Sequence, residues 1–450
     1  MAKVKIICTR TVVSTKPVEV EKCHSLSVLD RIMEKKHLRM VLYYASMGVP
    51  EPGEVTRRRR ESISDALTSF PIMTGRLARN ERGQWTSKFN DAGVRMVEVR
   101  AKGSLEEWLR NVDREKELML VYWEEMDHRP LLWSTFYVQL TEFEDGGLAI
   151  GLSCNHLLAD PTSATMFLKA WADASFPGKL LQPPFFHPLL PRRSGNKKLD
   201  HKPYTSLINH YKDSIKNSMQ LPANKSHTTV AFAFSDSMVR ACIAMAQPIG
   251  ATNRSKPSPF EALAGLFWFC ISKVKGIGNE LINMSICMDM RTVLGLDKGF
   301  FGNCMVYNKV HQEGFQGNNL SEAVSSIGEV VAKMDCEGIM DLIEWLEHTD
   351  DQCPLLMNDS DLICASLEAV DPFSTVFEDG NAPIRVSYYV EPVLRLGQVL
   401  IFPAKPGDGE LSRVVMVTLP HDEMAKLHED ELVRRLSPTI FTDMHKIKTS

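Results

Sequence analysis

The stretch His156-Leu157-Leu158-Ala159-Asp160 is the part of this 450-residue chain whose residue types and spacing best suit chemistry. An imidazole can take a proton from an alcohol or amine as that group attacks a carbonyl, and a nearby carboxylate can fix the loop or orient the ring. Of the 13 histidines, only His156 is followed by an aspartate four residues on. Spacing alone leaves a second reading open, a capped turn that holds a structurally satisfied histidine. Asn155 beside it is either a donor for a developing oxyanion or simply the end of a strand.

The flanking elements bear on this choice. Leu148 to Cys154 is a short apolar run suited to a buried strand. Pro161 opens a helix in which Ala164, Phe167, Leu168 and Trp171 share one face. His156 and Asp160 therefore fall between a strand end and a helix start, where side chains are presented rigidly to a cleft. Upstream, Ser62 to Phe70 has apolar residues at helical spacing. Met1 to Val13 reads as a strand and not a signal sequence, because Arg10 interrupts its apolar stretch. In the second half, Pro259 to Val274 predicts a buried helix and Ile282 to Met288 a strand. Val399 to Phe402 and Arg413 to Leu419 predict two strands joined at the Pro406-Gly407-Asp408-Gly409 turn. Leu181 to Tyr204 holds five prolines and then a basic polar stretch, so it is neither regular helix nor central strand. The expected organisation is an α/β chain with domains at 1–180 and 223–450 and a crossover linker at 181–222.

Composition narrows the function classes. Apolar residues make up 44% and charged residues 24%, ordinary globular values, and the net charge of −4 lacks the basic excess of a nucleic-acid binder. The longest apolar run, Ala262 to Ile271, is far short of the roughly 20 residues a membrane span requires. The ten cysteines are scattered with no Cys-x-x-Cys pair, and they read as reduced small hydrophobes of a cytosolic compartment. No zinc-type motif occurs, so neither a metal nor a resident cofactor is expected. Arg57 to Arg60 reads as a solvated helix start, with an import signal or acidic-lipid patch as the alternative. Phe267, Trp268, Phe300 and Phe301 read as core, with a channel lining as the alternative.

Further segments give His156 a context. The stretch Asn155 to Asp173 is NHLLADPTSATMFLKAWAD. Upstream lies SISDALTSFPIMTGRL, from Ser62 to Leu77. Downstream lie SPFEALAGLFWFC (Ser258 to Cys270), DMRTVLGLDKGFFGNCMV (Asp289 to Val306) and a C-terminal stretch from Val399 to Asp430. In this order, over nearly the whole chain, they resemble the plant BAHD family of acyl-CoA-dependent acyltransferases. The resemblance implies a monomer of two similar-sized, chloramphenicol-acetyltransferase-like α/β domains with a channel between them. Acyl-CoA would enter from one side and the acceptor from the other. His156 would face the channel as general base, and Asp160 would be structural and point away. The basic residues Arg192, Arg193, Lys197, Lys198 and Lys202 would then either meet the CoA phosphates or an anionic membrane face, or serve solubility.

The departures are equally specific. Where the family has Asp-Phe-Gly-Trp-Gly, this chain reads Phe377-Glu378-Asp379-Gly380-Asn381-Ala382-Pro383. The resemblance implies that the motif's Asp pairs with an Arg, for which Arg291 is the matching position. Glu378 and Asp379 are the acidic candidates left for that role. The Gly after the family's His-x-x-x-Asp is Pro161 here, which excludes a positive φ. These departures, and the stretch Thr11 to Tyr44, are similar to the Eceriferum/Glossy branch, which lacks that motif. That branch implies elongation of very-long-chain fatty acyl-CoA for cuticular wax, beside a membrane-bound elongase condensing enzyme at the cytosolic face of the endoplasmic reticulum. Two functions follow. In one, the chain binds a long acyl chain or docks on the condensing enzyme and modulates its product length. In the other, it is an acyl-CoA-dependent O- or N-acyltransferase with His156 as base.

Overall fold

In this computed structural model the described residues are all except 1–3, 17–21, 49–50, 52, 127–128, 180–181, 187–204, 218–225, 248–255, 277–279, 311–318, 350–360 and 442–450. Local sequence explains the elements around the site. Pro259–Val274 is helical over the bounds its sequence predicts. The Ser258 hydroxyl accepts from the Glu261 N–H while the Glu261 carboxylate accepts from the Ser258 N–H, and Pro259 sits where a missing donor costs little. The helix is apolar nearly all round and is buried accordingly. Phe267 packs on Phe232 and Phe234, and Trp268 donates to the Ile282 carbonyl at 2.8 Å, so both belong to the core.

The strands form two large sheets. The first is six-stranded, in the order Val4–Val12, Val94–Ala101, Phe136–Phe143, Leu148–Asn155, His37–Tyr44 and Arg385–Glu391. The second is seven-stranded: Met305–Val310, Met284–Asp289, Leu362–Ser366, Gln398–Pro403, Arg413–Pro420, His227–Phe234 and Thr439–Ile440. Both mix parallel and antiparallel pairs, so the chain is α/β without the regular alternation of one doubly wound sheet.

The halves of the chain do not keep to one sheet each, because Arg385–Glu391 pairs with His37–Tyr44 and closes the first sheet. A buried carboxylate helps to hold it there. Glu117 accepts from the hydroxyls of Tyr43 at 2.8 Å, Ser387 at 2.9 Å and Tyr389. Of the stretch 181–222, residues 181, 187–204 and 218–222, with the basic cluster from Arg192 to Lys202, lie outside the described residues. Thr205–Asn217 is a helix. It lacks proline, and its buried Leu207, Ile208 and Tyr211 fall on one face.

Arg57 to Arg60 do not precede a helix but lie within one, Glu54–Leu67. Pairs four residues apart, Arg58 with Glu54 and Arg57 with Glu61, favour helix through this charged stretch. Arg59 is also not a solvated residue: it is buried, pairs with Glu378 at 2.7 Å and lies 4.8 Å over the Phe377 ring.

The strand Leu148–Asn155 carries His156 at its end and is covered by the segment after the short helix Arg114–Leu118. At Gly151 the cover comes so close that a Cβ would stand 2.1 Å from the Leu120 carbonyl oxygen. Backbone cannot swing aside as a side chain can. Gly151→Ala is therefore expected to destabilise the fold by about 2 kcal/mol, read as a lower denaturant midpoint at unchanged slope. An unchanged midpoint would mean that the segment yields freely.

Candidate functional site

The strand ends because Asn155 turns the chain. Its Oδ1 accepts from the Leu157 N–H at 2.8 Å and its Nδ2 donates to the Glu34 carbonyl at 3.2 Å. Both ends of the amide are thus engaged in turn chemistry and not presented to an oxyanion. The His156 N–H donates to the Lys36 carbonyl at 2.9 Å, which fixes the residue against the start of the neighbouring strand.

His156 Nδ1 lies 2.7 Å from Asn303 Oδ1. The orientation of Asn303 is determined by its other contacts. Its Nδ2 donates to Asp30 Oδ1 at 2.8 Å and to the His156 carbonyl at 2.7 Å, and both partners can only accept. Asn303 Oδ1 is therefore the acceptor, Nδ1 carries the proton, and the neutral ring leaves its lone pair on Nε2. Nε2 makes no hydrogen bond among the described residues. Asp30 also accepts from the Asn303 N–H, and its second oxygen closes the Ser27 capping box. An Asp30–Asn303–His156 array thus sets the tautomer.

Asp160 has two roles. As N-cap of Pro161–Asp173 it accepts from the Ser163 N–H at 2.8 Å, and Pro161 fits the first helical position, so the loop needs no glycine. It also faces Arg291 in a two-pronged pair, at 2.8 and 3.0 Å, and accepts from the Cys304 N–H. Burial opposes ionisation of Asp160, but Arg291 and these donors outweigh it and hold its carboxyl below the usual range. Asp289 is a second partner for Arg291, at 2.6 Å. Neither acidic candidate from Phe377 to Pro383 reaches Arg291: Glu378 pairs with Arg58 and Arg59, and Asp379 is exposed.

His156 is buried, 2% exposed as a whole residue. Burial, reinforced by the Lys36 charge, pushes the imidazole down to about 4, so it is uncharged at neutral pH. Lys36 is itself buried and donates to the Tyr307 hydroxyl at 2.5 Å. Burial lowers its ammonium to about 8. Phe300 and Phe301 are buried on the loop before Asn303, where Phe301 packs on Phe70 and Phe186. The sequence reading missed Asp30, Asn303 and Lys36. Ser27-x-x-Asp30 announces a capping box, and Asn303 lies within a segment already matched to the family, but nothing local joins either to His156. Among the described residues, no group of three or more His, Cys, Asp or Glu is disposed to hold a metal, and no helix is long and apolar enough to cross a membrane.

Comparison with known proteins identifies the family and the fold. A model of the Transferase family matches residues 2–432. The chain is 28% identical over 424 residues to Protein ECERIFERUM 26-like of Arabidopsis thaliana, covering 93% of this chain and 92% of that one. It is 24% identical to a hydroxycinnamoyltransferase of Narcissus pseudonarcissus, with 90% and 93% covered. The crystal structure of vinorine synthase superposes with a TM-score of 0.74 at 18% identity, covering 98% of this chain and all of that one, which places the two-sheet α/β architecture among the chloramphenicol-acetyltransferase-like folds. With its matched segments in order and its fold shared, the chain belongs to the Transferase family, the BAHD acyltransferases that its sequence resembles.

Proposed function

We propose that the chain transfers an acyl group from acyl-CoA to an oxygen or nitrogen acceptor, with His156 as general base. The observation that carries this reading is the Asp30–Asn303–His156 array, which keeps a lone pair on Nε2 of an uncharged ring. The acceptor O–H or N–H gives its proton to Nε2 as its heavy atom attacks the thioester carbonyl. The C–S bond then breaks, and the departing CoA sulfur takes the proton back. Because the residue is buried, this reading also requires a path by which substrate reaches Nε2.

A second reading is favoured by the likeness to the ECERIFERUM proteins and by the absence of the Trp motif. Here the chain is an accessory of very-long-chain acyl-CoA elongation and sets product length through an elongase condensing enzyme. Co-expression with such an enzyme in a host lacking both separates the two. Extra chain length that survives His156→Ala favours the accessory role, and its loss favours catalysis.

For the first reading, purified protein given acyl-CoA and a panel of alcohols and amines is expected to release free thiol, and His156→Ala to slow release by about 100-fold or more. No release with any acceptor tried counts against transfer. The pH profile is a sharper check. A base titrating at about 4 leaves kcat/KM level between pH 6 and 8, with the acid limb near 4 rather than at the ordinary histidine value of about 6.5.

The division of roles also predicts stability. Asp160→Ala removes the two-pronged partner of Arg291 and the cap of Pro161–Asp173, leaving Asp289 as the remaining carboxylate, and should cost about 3 kcal/mol. Since the folded Asp160 carboxyl lies below its unfolded value of about 3.9, its contribution is present above that pH and fades as pH falls through the folded value. Acid denaturation of wild type against Asp160→Asn, followed by circular dichroism, should show a flatter acid limb in the variant. Identical limbs would contradict the pairing.

A further inference from the structure

On the face of the first sheet opposite its main core, His37 and Arg39 stand two residues apart on one strand, beside His156. His37 stacks on Trp123 with ring centroids 4.6 Å apart, and the Arg39 guanidinium lies 5.8 Å from the same ring. Trp123 is held edge-on by Trp133 and packed by Tyr137, so the shelf is rigid. Arg114, nearby, donates to Thr229 on the second sheet at 3.2 Å, which places the shelf at the seam between the sheets. Its closeness to His156 shows in His37: burial, then Arg39, His156 and Arg114, push that ring down to about 3.

The donors on this shelf are unused. Arg39 makes no hydrogen bond or ion pair among the described residues, and its Nε is buried without a partner, as is His37 Nε2. The carboxylates whose charges reach Arg39 are engaged elsewhere: Glu391 pairs with Arg114, and Glu125 accepts from Trp123 Nε1 at 2.8 Å. Buried, unmatched donors are costly in a folded protein, and a bound ion or ligand is one way to satisfy them. A planar guanidinium fork lying over an aromatic ring with free donors matches a carboxylate in shape and charge.

We propose that this shelf is a binding site for a carboxylate-bearing ligand, with Arg39 taking the carboxylate in two-pronged contact beside the Trp123–His37 stack. The ligand's carboxylate thereby sits near His156 and sets which molecules reach it. Two sources supply such a group: a hydroxy or amino acid as acceptor, or an acyl-CoA whose acyl chain ends in a carboxylate. The site deepens the acyl-transfer reading, but its binding can be measured without turnover.

Isothermal titration of the full chain tests it with two matched pairs of probes. One pair is 4-hydroxybenzoate against 4-hydroxybenzamide, and the other is succinyl-CoA against butyryl-CoA. The charged member of at least one pair should bind about tenfold more tightly than its neutral partner. That advantage should vanish in Arg39→Leu, persist in part in Arg39→Lys, and be unaffected by Arg110→Leu, whose arginine forms an exposed pair with Glu106. The pair that responds identifies the source. Should Arg39→Leu fail to fold by thermal melt, Arg39→Gln, which keeps a polar planar end without the charge, serves the same comparison. Equal affinity within both pairs, no binding of either anion at millimolar concentration, or an advantage that outlasts loss of the Arg39 charge overturns the proposal. Absent thioester turnover in wild type would sink the transfer reading and leave this one standing.

Discussion

One buried charge pair, Arg291 with Asp160, holds the site in register. Two ions removed from water are tolerable only when geometry and extra donors satisfy them. Here Arg291 also reaches Asp289, Ser163 Oγ and the Gly302 carbonyl, and Asp160 also accepts from Ser163 and Cys304. The pair thereby welds the start of Pro161–Asp173 to the loop that ends at Cys304. Asn303 precedes Cys304 on that loop, and its position fixes the His156 ring. Asp30 grips Asn303 from the other side, so the tautomer of a histidine from one half is set by an amide from the other.

The electrostatics around the ring follow from this clamp. His156 sits near Lys36, a buried ammonium whose hydrogen-bond partner among the described residues is a phenol, and follows the strand that pairs with His37. Burial and the Lys36 charge both resist protonation of the imidazole, so it rests uncharged with the Nε2 lone pair free. The same two causes would make an imidazolium at His156 unfavourable unless negative charge arrived with a bound molecule, so under the proposed reading the basicity of His156 is coupled to what binds beside it.

Much of this was legible locally. The buried strand before His156, the proline-led helix after Asp160 and the helix Pro259–Val274 follow from apolar period and capping residues, and appear near the expected bounds. The partnerships were not legible, because they join residues far apart in sequence. Asp30 and Asn303 are 273 positions apart, and Arg291 and Asp160 are 131 apart. No periodicity encodes such contacts. Arg59 misled for a related reason: a run of four arginines reads as solvated, yet one of them turns inward because Glu378 and Phe377, more than 300 residues away, meet it.

That contact also explains what the degenerate motif does and does not affect. Arg291 is fully engaged by Asp160, Asp289 and nearby acceptors, so the array around His156 needs nothing from residues 377–383. The altered motif has its own attachment. Phe377 packs edge-on against Trp171 and Tyr44 and under Arg59, while Glu378 pairs with Arg58 and Arg59. It therefore still fastens the C-terminal half onto the helices Glu54–Leu67 and Pro161–Asp173, by an aromatic and a carboxylate rather than a tryptophan. Loss of the Trp motif and loss of proton-transfer chemistry are thus physically separable, and the first is no reason to infer the second.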